Sequence, residues 1–119
     1  MTSLYESAKN TIAGYRDVTP AQVADPSRTA RVVDVREPEE FTGELGHIHG
    51  AELVPLGTIE AAAKGWPQDA EIVVVCRSGA RSGRAAAALS ALGFPRVMNM
   101  AGGMLAWNEA RLPIDTSAS

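Results

Sequence analysis

The stretch Ile72-Val73-Val74-Val75 is apolar at every position, and it constrains the fold more than any other segment. A strand with one wet face alternates apolar and polar residues, so a run without alternation must be covered on both faces. Coverage on both faces is typical of parallel strands, whose crossover connections lay helices over the sheet. The surrounding sequence supplies such crossovers. Ser82 to Leu92 places Ala85, Ala88, Leu89 and Leu92 on one helical stripe, with Gly93 as the stop. Gly103 to Arg111 predicts a last helix, ended by Pro113. Val32 to Val35, Ala51 to Val54 and Arg96 to Met100 predict further short strands. Thr19-Pro20-Ala21-Gln22 opens a helix with a hydroxyl cap, a proline at the first position and a glutamine three residues after the cap. Pro38-Glu39-Glu40-Phe41 opens a helical turn with its acids where the helix dipole favours them, and Thr58 is expected to cap a helix running through Lys64. Strands alternating with helices give an α/β fold in a single domain.

Length agrees, since 119 residues make one domain with a folded surface of roughly 6,200 Å² and a sizeable core. A net charge of −3 and a pI near 5.3 argue against a nucleic-acid partner, which calls for a basic face. No apolar run approaches the roughly 18 residues of a membrane span, and the amino-terminal MTSLYESAKN lacks the pattern of a secretory signal. The expectation is a cytoplasmic protein without a membrane partner. Residues 1–17 read as an extension with a short helix, on the spacing of Leu4, Tyr5, Ala8 and Ile12, and residues 113–119 as a frayed tail. Cys76 is the only cysteine, which excludes an intramolecular disulfide and a cysteine-based zinc cluster.

That cysteine falls where the most apolar strand ends and before the longest helix begins, in Cys76-Arg77-Ser78-Gly79-Ala80-Arg81-Ser82. In open α/β sheets ligands bind beyond the carboxyl ends of strands, and a helix amino terminus attracts anions. Gly79 permits a left-handed turn that aims successive N–H groups inward. Arg77 and Arg81 add permanent cations able to fork onto an oxyanion, Arg81 being favoured because it lies nearer the helix. A thiol in such a ring is expected to ionise more readily than a free one, making Cys76 a thiolate nucleophile whose loop binds an anionic substrate. Free cysteines are often mere packing residues, but a packing residue has no need of a glycine and two arginines around it.

This loop resembles the active-site loop of rhodanese-type sulfurtransferases. Four other segments match in the expected order: Asp34-Val35-Arg36-Glu37-Pro38-Glu39-Glu40-Phe41, Gly46-His47-Ile48-His49-Gly50-Ala51, Val73-Val74-Val75-Cys76 and Gly102-Gly103-Met104-Leu105-Ala106-Trp107. The resemblance covers roughly residues 18–112 and implies a rhodanese-like, five-stranded, mainly parallel sheet flanked by helices on both faces. It implies that the Cys76 thiolate takes the outer sulfur of thiosulfate, releases sulfite, and holds the sulfur as a persulfide for a thiol or cyanide acceptor. Residues Arg77, Ser78, Gly79, Ala80, Arg81 and Ser82 then stabilise substrate and persulfide. No metal and no organic cofactor is implied. Related phosphatases need Cys-x5-Arg, whereas here Arg81 follows Cys76 after four residues, the sulfurtransferase spacing. A second role, in which the domain relays persulfide sulfur between partner proteins with little activity on free thiosulfate, stays open at this level.

The remaining polar residues have plainer readings. Ser82 is expected to cap the following helix. Asp34 and Arg36 are expected behind the loop, Asp34 orienting a loop or an arginine, since transfer to a preformed thiolate needs no general base. His47 and His49 lack further ligands in suitable positions and read as structural or surface groups, His49 standing where the family usually has proline. Trp66 and Trp107 read as packing residues, and Gly102-Gly103 as a close approach between the last helix and the loop. No glycine-rich nucleotide-binding motif is present.

Overall fold

In the computed structural model, which describes residues 3–117, the apolar run forms strand β5 (Ile72–Val75), and every residue of it is buried. Period-two geometry sends Ile72, Val74 and Cys76 into one core with Val33, Ala85, Ala86 and Leu89. It sends Val73 and Val75 into a second core with Val18, Met98, Met104 and Trp107. Two cores on one strand are what a run without alternation requires.

The other strands are β1 (Lys9–Asn10), β2 (Arg16–Val18), β3 (Arg31–Asp34), β4 (Glu52–Leu53) and β6 (Val97–Met100). Together they make one six-stranded sheet in the order β1-β2-β6-β5-β3-β4. Every neighbouring pair is parallel except β1 and β2, where Lys9 opposes Asp17. The five expected strands are therefore joined by a sixth. It comes from residues read as an extension, whose helix is only α1 (Leu4–Ser7), closed by a capping box between Ser3 and Glu6. Ile12, counted on a helical face, is exposed, because the chain has by then turned into the β1–β2 hairpin.

Helices α2 (Pro20–Val23), α3 (Pro38–Phe41), α4 (Ile59–Ala63), α5 (Ala80–Ala91) and α6 (Gly103–Glu109) complete the chain. The capping box of Thr19 and Gln22 forms as its spacing predicts. Thr58 does not cap α4, since its hydroxyl donates to Pro55 O at 2.8 Å within a 3-10 turn, Leu56–Thr58. Helix α5 starts two residues earlier than expected, and Leu92 lies past its end and is exposed.

The carboxyl-terminal segment is tied down as far as residue 117, and residues 118–119 lie outside the described residues. The backbones of His47 and Asp115 exchange N–H···O bonds of 2.8 Å, and Trp107 Nε1 donates to Pro113 O at 3.0 Å. The Asp115 carboxylate is held down to about 2, first by the backbone and hydroxyl of Ser117 and then by His49. His49, at the position usual for proline, thus helps to anchor this segment, its Nδ1 lying 3.2 Å from Asp115 Oδ2. His47 is buried, stacked on Phe41 at 3.5 Å with Nδ1 2.7 Å from Phe41 O. Trp107 fills the second core, and Trp66 packs against the first. The molecule exposes 6345 Å², close to the area expected from its mass.

Candidate active site

Strand β5 runs directly into Cys76, which retains 1% of its surface, and the chain then turns over the end of the sheet into α5. The turn depends on Gly79, whose φ of +104° is a backbone conformation that residues with a Cβ rarely adopt. This conformation directs the Gly79 N–H at Cys76 Sγ, 3.0 Å away, and the Ser82 hydroxyl lies 3.3 Å from the same sulfur. Burial pushes the thiol up. The Ser82 hydroxyl and the backbone N–H groups of Ser82, Gly79 and Ser78 outweigh it, and Cys76 sits below the ordinary thiol value.

The loop is held from below by α6. Met104 N donates to Cys76 O at 2.9 Å and Leu105 N to Arg77 O at 3.0 Å, so the helix start grips the residue that carries the sulfur and the one after it. That approach is possible only at Gly103, where an added Cβ would stand 2.5 Å from Cys76 O.

The loop residues divide by position. Cys76, Gly79 and Ser82 come together around the sulfur. Ser82 is not the cap of α5; Gly79 holds that position, and Ser82, fully buried on the first turn, faces the sulfur and donates to Asn99 Oδ1 at 2.5 Å. Ser78 and Ala80 are exposed. Arg81 commits its fork to Glu40, with bonds of 2.7 and 2.8 Å, which lowers Glu40 to about 2 and raises Arg81. Arg77 is exposed and, among the described residues, makes no side-chain hydrogen bond or ion pair. It borders a cavity of about 390 Å³ shared with Arg36, Glu39, Glu40 and Glu44. A larger cavity of about 600 Å³ lies among His49, Trp107 and Asp115 and includes no loop residue.

Asp34 and Arg36 stand behind this arrangement, each 1% exposed. Arg36 forks onto Asp34 at 2.8 and 2.9 Å, and donates to Gly46 O and Glu40 O. The pair thereby fixes the segment that carries Glu40, and through Glu40 it fixes Arg81. Neither residue bonds to Cys76.

Sequence reasoning missed Glu40 and Asn99. Nothing local marks Glu40, because its partner is 41 residues away. Asn99 carried a signal: it is the one polar residue in the buried strand Val97-Met98-Asn99-Met100, and a buried amide needs partners. Among the described residues no group of three or more His, Cys, Asp or Glu is placed to hold a metal ion, and no helix is long and apolar enough to cross a membrane.

A sulfur held at a strand end by inward N–H groups, with arginines at the rim, is an arrangement for stabilising a thiolate next to an anion. The chain is also similar to known proteins. The family model described as Rhodanese-like domain matches residues 19–110. A sulfurtransferase of Allochromatium vinosum is 41% identical over 83 residues, covering 70% of this chain and 76% of the relative. The putative sulfur carrier protein YrkF of Bacillus subtilis is 38% identical over 86 residues, covering 72% of this chain and 45% of the relative. The chain spans less than half the length of several curated relatives that it matches. The crystal structure of a rhodanese-related protein from Thermoplasma volcanium superposes with a TM-score of 0.78 at 29% identity, covering 87% of this chain and all of that one.

Proposed function

The chain belongs to the rhodanese-like domain family, and from that premise we propose that it moves sulfane sulfur from thiosulfate or a related donor to a thiol or cyanide through a persulfide on Cys76. The observation that carries this reading is the convergence of the Gly79 N–H and the Ser82 hydroxyl on a buried Cys76 Sγ, at 3.0 and 3.3 Å. The thiolate attacks the outer sulfur of thiosulfate. The new S–S bond forms as the old one breaks, sulfite leaves with the bonding pair, and the charge passes to the outer sulfur of Cys76–S–S⁻. An acceptor thiolate or cyanide then attacks that sulfur and expels the Cys76 thiolate. No proton need move at either step, which fits a site with no general base against the sulfur.

On this reading the loop N–H groups of residues 77–82 cradle the anionic donor and the outer sulfur, and the Gly79 N–H, 3.0 Å from Cys76 Sγ, supports it. Arg77, without a side-chain partner among the described residues, supplies the attraction for an anion, while Arg81 is held by Glu40 and acts through its placement. Asp34 and Arg36 fix the segment that places Glu40.

A second reading is a relay module, which takes persulfide sulfur from one protein and passes it to another. The Arg81–Glu40 pair favours it by withdrawing one cation from a small anionic donor, and the similarity to a putative sulfur carrier fits it. Steady-state thiocyanate formation from thiosulfate and cyanide separates the two. Sustained turnover that disappears in Cys76→Ser supports the enzyme. Negligible turnover, with Cys76 still loading sulfur from a protein persulfide, supports the relay.

A further inference from the structure

The Ser82 hydroxyl carries one proton and faces two acceptors. Asn99 Oδ1 lies 2.5 Å away and Cys76 Sγ 3.3 Å away. The orientation of the Asn99 amide is fixed on its other side, because Nδ2 lies 3.3 Å from Gly79 O and a carbonyl can only accept. Asn99 therefore offers Ser82 an acceptor, never a donor. It stands beside Val74 in register, two residues before the cysteine, and both its partners belong to the turn that surrounds the sulfur.

On the reading of Cys76 as the sulfur-carrying group, we propose that Asn99 is a positioning residue that sets, through Ser82, where the hydroxyl proton points at each stage of the transfer. While Cys76 carries no charge on Sγ, as a thiol or as the inner sulfur of a persulfide, the proton rests on the Asn99 side. When the charge returns to Sγ, as the acceptor takes the outer sulfur, the hydroxyl turns to the thiolate and Asn99 Oδ1 gives up its donor. The buried amide thus opposes ionisation of Cys76 and restrains a free thiolate that would otherwise be over-stabilised and a weaker attacking group. Only a rotation about the Ser82 Cβ–Oγ bond is needed, and no proton changes owner.

The test is the pH profile of iodoacetamide alkylation of the full chain, for wild type, Ser82→Ala, Asn99→Leu and the double variant. Leucine keeps the shape of asparagine without its polar atoms. The charged groups facing the site, Arg77 of the loop, Arg81 of α5 with Glu40 of α3, and Asp34 and Arg36 of the β3 end, are the same in all four proteins. Ser82→Ala is expected to raise the inflection by about one pH unit, the size of a charge-assisted hydrogen bond. Asn99→Leu is expected to lower it by up to about one unit, and to have no effect in the Ser82→Ala background. An unchanged Ser82→Ala profile overturns the proposal whatever the Asn99 variants do. So does an Asn99→Leu profile that rises, stays put, or shifts equally without Ser82, which would mark simple loosening of the turn. Should Asn99→Leu fail to fold, Asn99→Ala is read in the same way. Alkylation uses no sulfur donor, so failure of the wild type to load sulfur would count against the proposed reaction and leave this test intact.

Discussion

Helices α5 and α6 both begin at a left-handed glycine, Gly79 with φ +104° and Gly102 with φ +77°, and neither has a side-chain cap. Both starts lie at the end of β5, yet they do opposite things. At α5 the turn leaves N–H groups of the loop pointing at the Cys76 sulfur. At α6 the first N–H groups are consumed by the carbonyls of Cys76 and Arg77. One start serves the reactive atom and the other serves the backbone that carries it. A strand end can thus be both reactive and rigid when two helices share the work, since donors spent on carbonyls cannot stabilise charge, and donors left for charge cannot hold the chain.

The contrast can be broken most severely at α6. Gly103→Ala places a Cβ 2.5 Å from Cys76 O and 2.6 Å from Arg77 C and O, at a φ of +57°. It is expected to cost about 3 kcal/mol or more, because only backbone is available to yield, and urea denaturation measures it. Gly79→Ala meets nothing closer than 3.4 Å and is expected to cost only about 1–2 kcal/mol, the strain of its backbone. Relief of that strain turns the N–H of residue 79 away from the sulfur, so thiol alkylation should need higher pH. Equal losses of stability in the two variants would erase the distinction between clamp and cradle.

The arginines sharpen it further. Arg77→Ala is expected to weaken reaction with thiosulfate by about 1.5–3 kcal/mol in kcat/KM, the size of a charge-assisted contact. Arg81→Ala should cost less, about 1 kcal/mol, because Glu40 already compensates its charge. The reverse order would mean that Glu40 releases Arg81 when substrate arrives. The smallest effect is in acid. Glu40 is held at about 2 against its ordinary 4.5, so the pair's contribution is complete above pH 4.5 and is lost as pH falls toward 2. With side chains 29% and 30% exposed, that contribution should be under about 1 kcal/mol, read as the difference in melting temperature between wild type and Glu40→Gln across this range.

Much of this was legible in the sequence for identifiable reasons. The run from Ile72 to Val75 announced a strand covered on both faces, and its continuation into Cys76, Gly79 and a helix placed a sulfur at the turn between strand end and helix start. Local chemistry of this kind reads well because cause and effect lie within a few residues. Strand β2 did not read, since Arg16-Asp17-Val18 buries only its valine and lies next to the edge. The tail from Pro113 looked frayed because its restraint comes from His47, 68 residues earlier. Ser82 looked like a cap from its place at the helix start; the glycine turn moved the cap back to Gly79 and turned the hydroxyl inward. The fork of Arg81 onto Glu40 and the hold of Asn99 on Ser82 are long-range pairings, which only the closed fold creates.

The central claim is that Cys76 carries the transferred sulfur, and mass spectrometry of the intact chain after exposure to thiosulfate tests it most directly. One added sulfur on Cys76, removed by cyanide, is expected, and none on Cys76→Ser at comparable stability. Absence of that sulfur from the wild type under every donor tried, or its presence on Cys76→Ser, would contradict the account.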